Sequence, residues 1–102
     1  MKLVVKLNGR HSLYKVLRMT HAWRFTDYGK HAKEISAIES FLRDRYGNQE
    51  WGWKYNARHS WEFKNHWATH WTDPKRNQPR IYWIGVKDPE MIMMAGLYGL
   101  TL

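Results

Sequence analysis

Residues 30–46 read KHAKEISAIESFLRDRY, and this stretch decides the fold. Ala32, Ile35, Ile38, Leu42 and Tyr46 recur three and four apart, with Phe41 widening the stripe, so one helical face is apolar and must be covered. The opposite face is charged. Lys30 with Glu34 and Glu39 with Arg43 stand four apart, as neighbours on a helix surface do, and Gly47-Asn48 supplies a left-handed stop. The spacing predicts the main helix over 30–46. Most of the remaining chain alternates with period two, which predicts strands whose apolar face needs this helix or a second sheet over it.

Upstream, Lys2 to Leu7 alternates and then meets Asn8-Gly9, a strong two-residue hairpin turn. Ser12 to Met19 follows with Leu13, Leu17 and Met19 on one side, so a basic β-hairpin is expected over 2–19. The alternation of His21, Trp23 and Phe25 either prolongs its second strand or opens a third. Downstream, Trp51, Trp53 and Tyr55, the Asn56-Ala57-Arg58 turn, then Trp61 and Phe63 predict a tryptophan-rich hairpin over 50–65. From 66 to 80 the pattern fails. The polar, proline-flanked run TDPKRNQP at 72–79 reads as part of a surface loop of the kind that often carries function. Arg80 to Val86 has apolar residues on both sides and is expected to be a central strand. Asp88-Pro89-Glu90 looks like a helix N-cap, but Gly96 and Gly99 favour a last strand over 91–97, giving C-terminal strands across 80–98. The expected architecture is a single α+β domain over 1–102. Its antiparallel sheet has five to six strands, with the main helix packed on one face.

Composition narrows the functional classes. A chain of 102 residues suits one core. No apolar run approaches the roughly 20 residues of a membrane helix, and MKLVVKLNGRH breaks at Asn8-Gly9 before it could form a secretory leader. With no cysteine, disulfides and thiolate zinc sites are excluded, and a cytoplasmic location is the expectation. Seventeen Lys and Arg against nine Asp and Glu leave +8, and the excess is uneven. Six of the basic residues, Lys2, Lys6, Arg10, Lys15, Arg18 and Arg24, precede the first acid at Asp27. This N-terminal quarter is therefore either a phosphate-facing surface or a solvated face that keeps a small protein soluble.

The chemically richest segment is HSWEFKNHWATHWTD at 59–73. On a helix, His66 and His70 would share a face, and His59 or Asp73 could complete a three-ligand metal site with one open position. Against it, Trp67 follows His66 where zinc hydrolases carry Glu, so neither a metal nor another cofactor is expected. A nuclease using His66 or His70 as base beside Asp73 and Arg76 stays a second alternative. Seven tryptophans are more than one small core needs. Trp51, Trp53, Trp61 and Trp83 suit the core wall facing the helix. Trp67 and Trp71, in the irregular segment, are candidates for stacking on bases or filling a partner's pocket, with Lys54, Arg58 and Lys64 interleaved.

The tail RIYWIGVKDPEMIMMAGLYG at 80–99 resembles the strand, acidic turn and strand that close small accessory or early proteins of tailed bacteriophages. The resemblance carries no catalytic residue. It implies a phage source, a setting of nucleic-acid binders and of inhibitors of host machinery. The functional expectation is a non-enzymatic protein binding nucleic acid or a host nucleic-acid-handling complex in the host cytoplasm. Its contacts are expected from Lys6, Arg10, Lys15, Arg18, Lys54, Arg58, Lys64, Trp67, Trp71, Lys75 and Arg76. The alternative is an inhibitor of host defence or transcription that touches protein alone.

Overall fold

The computed structural model describes residues 4–47, 66–72 and 80–100. In chain order the elements are β1 (Val4–Lys6), α1 (Ser12–Leu17), β2 (His21–Phe25), α2 (Ala32–Tyr46), β3 (Trp67–Thr72), β4 (Ile81–Val86) and α3 (Pro89–Leu97). The four strands form one antiparallel sheet in the order β1-β2-β4-β3, so the fold is α+β with four described strands rather than five to six. The tryptophan-rich hairpin expected at 50–65 and the stretch 73–79 lie outside the described residues.

The main helix is confirmed as α2, with Ile35, Ile38 and Leu42 fully buried. Asp27 heads the turn before it, its carboxylate accepting from Lys30 N–H at 3.1 Å, and Gly47 closes the helix at φ +88. Its apolar stripe lies on one face of the sheet against Trp23, Phe25, Trp67, Tyr82, Ile84 and Val86. The cross-strand register explains that set. Trp23 pairs with Ile84 and Phe25 with Tyr82, while Thr69 and Trp71 of β3 sit opposite Ile84 and Tyr82. β4, apolar on both sides, is central as its pattern predicts.

Three expectations are corrected. The hairpin over 2–19 does not form, because the run from Ser12 is the helix α1 and β1 pairs instead with β2, Val5 facing Ala22. Asn8 does turn the chain, its side chain accepting from Arg10 N–H at 2.9 Å, but the turn feeds a helix whose cap is His11, with Nδ1 accepting from Leu13 N–H at 3.1 Å. The second correction is β3, which makes residues 67–72 of the expected 66–80 loop a strand held by β4 on its full length. The third is α3, expected as a strand. Asp88 accepts from Glu90 N–H at 2.9 Å with Pro89 at the first helical position, and Met91 and Ala95, four apart, enter the core. Gly99 lies beyond this helix at φ +77, where Leu100 N–H bonds back to Ala95 O, so only Gly96 weakens the interior. The ending quoted for the phage resemblance is thus strand and helix.

The second face of the sheet is covered differently. Ala22, Gly85 and Ala68 lie side by side across β2, β4 and β3, forming a trough without large side chains. Leu13 of α1 and Met19 fill it, both fully buried. A Cβ on Gly85 would stand 2.9 Å from Leu13 Cδ1 and 3.3 Å from Met19 Cβ, so glycine alone lets α1 approach this closely. Changing Gly85 to Val should therefore cost about 1–3 kcal/mol through overpacking, and Leu42→Ala about 2–5 kcal/mol through a cavity under α2. Thermal denaturation checks both, since about 1 kcal/mol moves the midpoint of a domain this size by about 4–8 °C.

Candidate functional site

The α1 face of the sheet gathers the side chains with most chemical capacity. Trp83 of β4 is half-buried there, its indole N–H donating to Thr72 Oγ1 at 2.9 Å, which fixes the ring. Across the strand pairs its neighbours are Arg24 on β2 and His70 on β3. The Arg24 guanidinium lies 5.9 Å from the Trp83 ring centre, and the His11 ring meets Trp83 edge-on with centroids 4.3 Å apart. His11 and His70 are 6.2 Å apart by centroids. Because His11 Nδ1 already accepts from Leu13, the neutral ring carries its proton on Nε2, a buried atom with no hydrogen-bond partner.

The helix that covers this face brings positive charge to it. Arg10 enters α1, Lys15 lies on it, and Arg18 caps it with φ +59 while its guanidinium sits 5.8 Å from the centre of the Tyr14 ring. All three are exposed, as is Arg24. Among the described residues the acids are Asp27, Glu34, Glu39, Asp44, Asp88 and Glu90. They occupy the turn into α2, α2 itself and the start of α3, so none belongs to the sheet or to α1. The sheet thus separates a face with four cations and no described anion from one where charges of both signs are mixed.

The remaining expected residues fare unevenly. Lys6 is exposed on the edge strand β1, in register with His21 rather than on the α1 face. Trp67 is 1% exposed and its indole N–H donates to Gly47 O at 2.7 Å, so it pins β3 to the end of α2 and cannot meet a ligand. Trp71 lies on the α2 side, packed against Tyr28 and Tyr82 with Arg80 4.8 Å from its ring centre. Trp83, expected in the wall facing the main helix, is on the other face. Lys54, Arg58, Lys64, Lys75, Arg76 and His59 lie outside the described residues.

The helical premise behind a shared His66 and His70 site fails, because His70 is on a strand that begins at Trp67. Four residues of extended chain span about 13 Å, too far for one ion. Among the described residues no cluster of three or more His, Asp or Glu could hold a metal. His11, Tyr14, Arg24 and Trp83 were not singled out by sequence as a group. The signal for His11 and Tyr14 is the alternative spacing of Leu13, Val16 and Leu17, three and four apart, which is helical, whereas strand pairing alone sets Arg24 beside Trp83.

No family model, curated protein or solved structure matches the chain.

Burial holds His70 below its ordinary pKa of 6.5, and lowers His11 likewise, with repulsion from His70 adding to it. Each binds fewer protons folded than unfolded, so its contribution to stability is complete above pH 6.5 and lost as pH falls through the folded values. Glu39, raised by burial despite the Tyr82 hydroxyl and Arg43, acts in the opposite sense. The midpoint of thermal unfolding should drop between about pH 7.5 and about pH 5, and His70→Gln should flatten that drop.

Proposed function

We propose that the protein is a non-enzymatic nucleic-acid-binding module that meets the phosphate backbone with its α1 face. The observation that carries this reading is the charge separation: Arg10, Lys15 and Arg18 stand exposed on and beside α1, and Arg24 stands exposed next to Trp83 on the face that α1 covers, with every described acid on other elements. A polyanion approaching that face gains attraction with no like-charge penalty from any described acid and releases counterions from each phosphate contacted. Half-buried Trp83 and Tyr14, each with an arginine over its ring, add flat surface for bases or sugars. Binding of this kind is salt-sensitive and largely indifferent to sequence.

Fluorescence anisotropy with labelled oligonucleotides over a salt series tests the reading. Arg10→Glu combined with Lys15→Glu should weaken binding sharply at low salt and lower the log–log salt slope by about one unit or less per lost phosphate contact. Lys30→Glu with Lys33→Glu, the same change of charge on the α2 side, should have a much smaller effect. Equal losses in the two pairs would mean that only net charge matters. Unchanged binding in the α1 pair would leave the protein-directed inhibitor as the better account.

A further inference from the structure

The outer face of α3 carries three of the four large apolar side chains that stand exposed among the described residues: Met93 at 66%, Leu97 at 76% and Tyr98 at 61%. Met93 and Leu97 are four apart and form one ridge. Tyr98 follows at the helix end and leans on Phe41 of α2, with ring centroids 5.2 Å apart, so the apolar surface continues from α3 onto α2. Asp44 and Arg45 border the recess between Phe41 and Tyr98, and Lys33 and Glu34 border a second recess beside Gly99 and Leu100. A contiguous apolar patch with a polar rim of this kind marks a contact surface.

Charge decides what covers it. The charged residues bordering the two recesses are two bases, Lys33 and Arg45, and two acids, Glu34 and Asp44. A surface so nearly neutral has little to steer a polyanion or a strongly charged protein. It is, however, suited to itself. A two-fold axis sets the patch against its own copy, and each recess offers an acid beside a base, so unlike charges can meet across the axis in both directions. Elsewhere the net charge of +8 opposes contact between copies, most of all on the α1 face.

We propose that the chain forms a two-fold homodimer through the outer face of α3, with Met93, Leu97 and Tyr98 at its centre and Asp44 and Arg45 on its rim. Stable interfaces bury about 800 Å² per partner, so the contact extends from α3 across Phe41 onto α2. The proposal is independent of nucleic-acid binding. It directs the two α1 faces outward, away from the axis, because α1 lies on the opposite side of the sheet from α2 and α3.

Sedimentation of the full chain, treated with nuclease, from about 1 to about 100 μM tests it. The wild type should shift toward twice its 12.4 kDa mass as concentration rises. Leu97→Asp and Met93→Asp should each weaken association at least about tenfold with little change in melting temperature, since both side chains face outward. Arg10→Glu with Lys15→Glu should leave the dimer intact. A wild type that stays monomeric over the whole range, or a dimer that persists undiminished in both Asp variants, overturns the proposal.

Discussion

The contact between Leu13 and the bare backbone of Gly85 governs how this protein is layered. A sheet whose central strand is apolar on both sides has two faces to cover. The long helix α2, joined by α3, covers one. The other has a six-residue helix, too short to persist by its own hydrogen bonds and able to shield only a narrow strip. The strip is narrow because Ala22, Gly85 and Ala68 align across three strands, which lets Leu13 and Met19 seat directly on the sheet. Trp83, Arg24 and His70 share this face, Arg24 exposed and the two rings half-buried.

Charge follows from the layering. The early chain carries all of its cations before any acid, and its route from β1 through α1 to β2 keeps Arg10, Lys15, Arg18 and Arg24 together on one side. Acids enter only with Asp27 and α2, which the connection carries over to the other side. The sheet therefore acts as a partition between a positive surface with fixed aromatic rings and a mixed surface with an exposed apolar ridge. The proposed polyanion contact lies on the first surface and the proposed contact between copies on the second. Since α1 depends on its seat at Gly85, the placing of three of the four cations depends on core packing as much as on surface charge.

The histidines belong to this picture by position rather than by spacing. His11 serves the helix through Nδ1 while its other nitrogen is buried beside Trp83, and His70 reaches the same place from β3. Burial disfavours a charge on either ring, so acidification places positive charge inside the contact that seats α1.

By itself the sequence determined the main helix and its buried face, the central character of β4, the N-cap at Asp88, the α+β class and the uneven charge. Each is written in a local pattern: apolar residues at helical spacing in 30–46, apolar residues on both sides of 81–86, a Pro after an Asp, cations ahead of the first acid. Tertiary structure decided the rest. Ser12 to Leu17 alternates well enough for a strand and repeats well enough for a helix, and only the trough at Gly85 selects the helix. Residues 67–72 become a strand because β4 offers a free edge, and Trp67 is withdrawn from the surface by burial in the core and its bond to Gly47. Pairing between distant strands brings Arg24, His70 and Trp83 to one place, and no local pattern encodes which residues face each other across a sheet.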